Sequence, residues 1–81
     1  MQIIDISSKV EKTLKKHNLV EKFNKAKEFF ETDTNHPSLN VEVLQPKEAR
    51  VYSFRIDRKY RAHFITIGGK AFIIKVTLHY Q

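Results

Sequence analysis

Apolar positions recur with a helical period through the first 32 residues and with a period of two from residue 51 onward. The chain opens on Gln2-Ile3-Ile4-Asp5-Ile6, a short apolar run that predicts an opening strand or a buried lead-in. Ser8-Lys9-Val10-Glu11 then has the form of a capping box, with Ser8 accepting from the backbone and Glu11 reaching back. A first helix is expected from there to about His17. Asn18-Leu19-Val20-Glu21 repeats the signature, and asparagine can both end one helix and cap the next. In the second helix Leu19, Phe23, Ala26 and Phe30 stand at i, i+4, i+7 and i+11, one stripe for burial. Two helices joined this tightly predict a helical hairpin. Helix chemistry stops near Thr32. Thr34-Asn35-His36-Pro37-Ser38 is turn-rich, and His36 precedes a proline, which disfavours helical backbone.

The rest reads as strands: Val41 to Leu44, Val51 to Asp57, Tyr60 to Ile67 and Ala71 to Tyr80, with Gly68-Gly69 a two-residue hairpin turn. The expected class is α+β, an N-terminal helical hairpin packed on an antiparallel β-sheet, with a possible short N-terminal strand and a single domain over residues 1–81. Alternation sorts each strand into two sets. Tyr52, Phe54 and Ile56, then Tyr60, Ala62 and Phe64, then Phe72, Ile74, Val76 and Leu78 form the apolar set that the helices should cover. Arg55, Arg61, His63, Lys75 and His79 gather on the opposite, exposed face.

Composition sharpens that face. Lys and Arg total 15 against 9 Asp and Glu, a net charge of +6. A small basic domain favours polyanions or an acidic protein partner. Arginine is a planar fork matching two phosphate oxygens, lysine a point charge, and histidine titrates near neutral pH. The set suits binding a phosphodiester and moving protons around it. The chain has no cysteine, so disulfide scaffolds and Cys-ligated zinc are excluded. No metal site or cofactor is expected, since the four histidines are nowhere paired at ligand spacing. No apolar run approaches the roughly 20 residues of a membrane span, and no signal peptide is evident at the start, so a cytoplasmic location is the expectation. His17, near a helix C-terminus, reads as a dipole-facing cation and His36 as a turn residue.

The motifs in order are a helical hairpin, His36-Pro37-Ser38-Leu39, Val51-Tyr52-Ser53-Phe54-Arg55-Ile56, Lys59-Tyr60-Arg61 and a C-terminal His79-Tyr80. Together they resemble the RelE/ParE superfamily of toxins from toxin–antitoxin modules, and most of all its YoeB/Txe branch. The resemblance implies a RelE-like fold and ribosome-dependent cleavage of mRNA, with no cofactor. In that chemistry the substrate's 2′-hydroxyl attacks the adjacent phosphorus, leaving a cyclic phosphate and a free 5′-hydroxyl. A base, a cation for the phosphorane and an acid for the leaving oxygen are needed.

Carried over by resemblance, Glu42 is the base, Arg61 the phosphorane-stabilising cation, His79 the acid and Tyr80 the aromatic that orients the nucleotide. Arg55 matches a phosphate-contacting arginine; Lys75 and His63 join it as phosphate-binding candidates from strand parity. Partners implied are mRNA, the ribosome and an acidic antitoxin. Loss of activity without loss of fold is expected for Arg61→Ala and His79→Ala. The alternatives are a non-enzymatic gyrase inhibitor of the ParE type, or a basic RNA- or protein-binding module whose catalytic set has decayed.

Overall fold

The computed structural model describes residues 1–78. The helices are α1 (Ser8–Lys16) and α2 (Val20–Thr32). The strands are β1 (Gln2–Ile3), β2 (Glu42–Val43), β3 (Tyr52–Arg55), β4 (Tyr60–Ile67) and β5 (Lys70–Leu78). They form one sheet in the order β1-β5-β4-β3-β2. Pairing is antiparallel from β2 through β5, as expected from the hairpin turns, but β1 joins β5 in parallel. The sheet is therefore mixed, not purely antiparallel. The helical hairpin stands between β1 and the rest of the sheet in the chain, and so brings β1 alongside β5 in the parallel sense. Ile3 also donates its backbone N–H to Glu31 Oε2 at 2.8 Å, tying β1 to α2.

The α2 stripe is buried as its spacing predicts: Leu19, Phe23, Ala26 and Phe30 are all core residues. They meet Phe54, Ala62 and Phe64 on the inner sheet face, while α1 contributes Val10 and Leu14. Phe30 is the hub, with ring centroids 5.2 Å from Phe54 and 5.1 Å from Phe64. Leu39 closes the core from a short 3₁₀ turn, Pro37–Leu39. His36 starts that turn: its Nδ1 accepts from the Ser38 N–H at 3.1 Å and its ring stacks on Phe29. It is a turn residue, as read from the sequence.

Two helix caps differ from expectation. Ser7, not Ser8, caps α1, its Oγ accepting from the Val10 N–H at 3.2 Å. Glu11 pairs instead with Lys15 one turn on. Asn18 does end α1, at a positive φ of 56°, but the N-cap of α2 is Leu19, which offers no side-chain cap. Ser7→Ala is accordingly expected to cost about 1 kcal/mol in urea unfolding. Ser8→Ala should stay within about 0.5 kcal/mol, as an ordinary surface change does.

The largest difference lies in β5. His63 pairs with Lys75, yet Phe64 pairs with Ile73, so Ile74 is an extra residue that bulges out of the ladder. The bulge reverses the alternation on its N-terminal side. Ala71 and Ile73 face the core, while Ile74 is exposed and Phe72 pairs with Ile65 on the outer face. The placement of Phe72 and Ile74 in the apolar set by simple alternation is thus wrong, whereas Lys75 and Thr77 remain on the outer face as expected. Gly68 and Gly69, at φ 58° and 75°, make the tight turn into this strand with the backbone that glycine adopts without steric cost.

Candidate functional site

The outer sheet face carries two cross-strand rows. One runs Glu42, Ser53, His63, Lys75 and the next Arg55, Arg61, Thr77. Every member is a direct cross-strand partner of its neighbour, so the side chains share a face. Four are basic or titratable bases, and Glu42 is the sole carboxylate of the two rows. At the head of the β3–β4 turn, Asp57 holds the hairpin that aligns them. Its Oδ1 accepts from the N–H groups of Lys59 and Tyr60, each at 2.8 Å, and its Oδ2 meets Lys22 at 3.3 Å. Desolvation pushes the Asp57 carboxyl up, but these donors together outweigh it and hold it below its ordinary value.

Arg61 is the centre of the site, and it is buried, at 3% exposure. Its Nε donates to Ser53 Oγ at 2.9 Å. Its Nη2 donates to the Ser53 carbonyl at 3.1 Å and to the Asn40 carbonyl. The Glu42 carboxylate lies 3.7 Å from Nη2. Nη1 is buried with no hydrogen-bond partner among the described residues. The expectation of an outward-pointing, exposed Arg61 is corrected here. The residues before β2 fold over the row and cover the guanidinium, and Ser53 is small enough to leave space for it. Asn40 adopts positive φ at the end of the 3₁₀ turn, which brings its carbonyl to Arg61. Burial lowers the Arg61 pKa; Glu42 opposes that shift and Arg55 adds to it. A guanidinium remains charged in such surroundings. An unpaired buried donor costs about 1–3 kcal/mol and calls for a partner.

His63 is half-buried between two cations. Its Nε2 lies 2.9 Å from Thr77 Oγ1. Burial lowers its pKa, with Lys75 and Arg61 adding to the shift. In the folded state it therefore binds fewer protons than the unfolded chain once pH falls below about 6.5. Acidification from there through the folded value should destabilise the protein, whereas above 6.5 this contribution is flat. Urea midpoints at several pH values should show a smaller acid loss for His63→Gln than for the native chain.

Comparison with other proteins bears on this arrangement. No family model and no curated protein matches the sequence. Solved structures do match. A toxin described as YoeB/ParE, from Agrobacterium tumefaciens, aligns with a TM-score of 0.71 at 18% identity, covering 99% of this chain and 100% of that one. The chain shares the fold of the YoeB/ParE toxins. A chain of a heterotetrameric YoeB–YefM toxin–antitoxin complex from Staphylococcus aureus aligns at TM-score 0.71 and 19% identity, covering 99% of both. A second YoeB–YefM complex from the same organism gives 0.71 at 20%, again covering 99% of both chains. At these identities the likeness is one of fold.

On that fold, Glu42, Arg55, Arg61, His63 and Lys75 come together on one face. Arg55 is exposed beside Arg61, and Lys75 is exposed at the β5 end of its row. His79 and Tyr80 lie outside the described residues. Sequence reasoning missed the Asn40 carbonyl, which no side-chain pattern announces. It also missed Phe72, whose move to this face depends on the β5 bulge. Among the described residues, no group of three His, Asp or Glu side chains approaches closely enough to hold a metal ion. No helix among them is long and apolar enough to cross a membrane.

Proposed function

We propose that this chain is the toxin of a type II toxin–antitoxin module and that it cuts mRNA on the ribosome. The observation that carries the reading is the Arg61–Glu42 pair: a buried guanidinium with one donor unpartnered among the described residues, beside an exposed carboxylate, on a basic sheet face. The shared fold and the order of the sequence motifs support it. The net charge of +6 suits both RNA and an acidic antitoxin that wraps the domain, and two of the fold neighbours come from toxin–antitoxin complexes. Action in the cytoplasm follows from a ribosomal target.

The chemistry assigns each group one role. Glu42 takes the proton of the 2′-hydroxyl as its oxygen bonds to phosphorus. Arg61 meets the extra negative charge of the phosphorane. His79 gives a proton to the departing 5′-oxygen as the phosphorus–oxygen bond breaks, and Tyr80 orients the nucleotide. Because Arg61 is covered by Asn40 and Glu42, phosphate reaches it only as that cover yields. Glu42, with its side chain 43% exposed, is the part free to move. A ligand oxygen at Nη1 then satisfies the orphan donor. Because the phosphorane carries more negative charge than the bound phosphodiester, that donor holds the transition state more tightly than the substrate, the condition for catalysis.

The test is incubation of the protein and mRNA with translating ribosomes, followed by mapping of the RNA ends. Cyclic-phosphate and 5′-hydroxyl ends that appear only with ribosomes are expected. Intact mRNA would sink the reading. Intact mRNA together with failure of DNA supercoiling would turn it toward a gyrase inhibitor.

A further inference from the structure

Beyond the Arg61 centre, the outer face continues along β4 and β5 into a region that the proposed cleavage chemistry does not use. The next pair on this face after His63–Lys75 is Ile65–Phe72, two residues along β4 and, across the bulge, three along β5. Phe72 and Ile65 are half-buried and take no part in packing against the hydrophobic core. The bulge at Ile74 is what puts an aromatic ring here. Without it, Phe72 would face the helices, as the alternation predicts. Bulges that re-aim a side chain are common beside functional sites. The result is an aromatic surface directly beside an exposed lysine and an imidazole. Thr77 holds one nitrogen of that imidazole, and Nδ1 has no hydrogen-bond partner among the described residues.

We propose that Phe72, Lys75 and His63 form a second nucleotide position for single-stranded RNA, with the base stacked on Phe72 and its phosphate held by Lys75 and His63. Arg61 and His63 are two residues apart on one strand, about 6.6 Å. A strand whose phosphate sits at Arg61 can therefore place a neighbouring phosphate at His63. Stacking on an aromatic face beside a cationic groove is the common way to hold single strands without reading their sequence. A phosphate there also offsets the like charges of Lys75 and Arg61, which flank His63. Ser53 and Thr77, the other neighbours of His63, are uncharged, and Glu42 lies two strands away in the row. The proposal rests on reading this face as RNA-binding, but it does not need the chain to cut.

The experiment uses the full chain and 2′-O-methyl oligoribonucleotides, which lack the attacking hydroxyl. Affinity is read by fluorescence anisotropy across a salt series. Phe72→Leu, which keeps an apolar side chain but removes the ring face, should weaken binding roughly fivefold or more. Lys75→Gln, at an exposed position, should lower the salt slope by about one. Imidazole resonances of His63 should shift on adding the oligonucleotide. Unchanged affinity in both variants, or a His63 signal that does not respond, would overturn the proposal even if ribosomal cleavage is observed. The expected losses in a chain that proves unable to cut mRNA would uphold the second position while the nuclease reading fell.

Discussion

Arg61→Lys is expected to reduce RNA cleavage by two to three orders of magnitude and to lower stability as well. The kinetic figure is that for losing one preorganised donor to a developing oxyanion, about 3–4 kcal/mol of transition-state stabilisation. Lysine keeps the charge but not the fork. It cannot donate from one end to Ser53 Oγ, from another to the Asn40 and Ser53 carbonyls, and still present a further donor to phosphate. The structural part follows from burial. Ser53 is fully buried, and its hydroxyl and carbonyl lose partners that no water readily replaces. A drop of about 1–3 kcal/mol in urea unfolding is expected. Arg61→Ala loses the same partners and is expected to lower stability along with activity while the fold is retained. Cleavage must be compared at equal folded fraction, checked by circular dichroism. Wild-type rates at equal folded fraction would remove Arg61 from the chemistry and leave it a structural residue. Glu42→Gln separates the two effects, since its exposed side chain contributes little to stability.

Phe30→Ala is expected to cost about 3–5 kcal/mol, enough to remove most of the stability of so small a domain. Phe30 has no exposed surface and contacts the rings of both Phe54 and Phe64. Phe54 in turn lies 6.2 Å from Phe23, and Tyr52 lies 5.6 Å from Phe64. Truncation thus opens a cavity at the junction of α2 with β3 and β4, and rigid rings close over it only in part. A urea midpoint within experimental error of wild type would show that the aromatic cluster is not the centre of the core. Phe30→Leu, which retains most of the volume, should cost clearly less.

These two residues mark what local pattern can reveal. Phe30 belongs to a stripe at helical spacing, and a stripe that long specifies burial wherever the helix docks. Arg61 belongs to a strand whose alternation correctly put it on the outer face, beside Arg55 and His63. Its exposure could not be read the same way, because the segment that covers it begins at Asn40, 21 residues earlier. Glu42 was assigned by family resemblance, and the β2–β3 register places it beside Arg61. The caps show the same limit on a smaller scale. Ser7 and Ser8 are equally good capping residues, and the backbone conformation at Ser7 decided between them.

By itself, the amino-acid sequence determined the class of the fold, the buried stripe of α2, the glycine hairpin and the faces of β3 and β4. All of these arise from interactions between residues close in the chain, or from a periodicity that any partner surface would satisfy. Only the tertiary structure decided the parallel seat of β1, the bulge that turns Phe72 outward, and the cover that buries Arg61. Those depend on which strand meets which, and in what register. There, packing on the inner face outweighs alternation: Ala71 and Ile73 fill the core, and Ile74 is left as the extra residue.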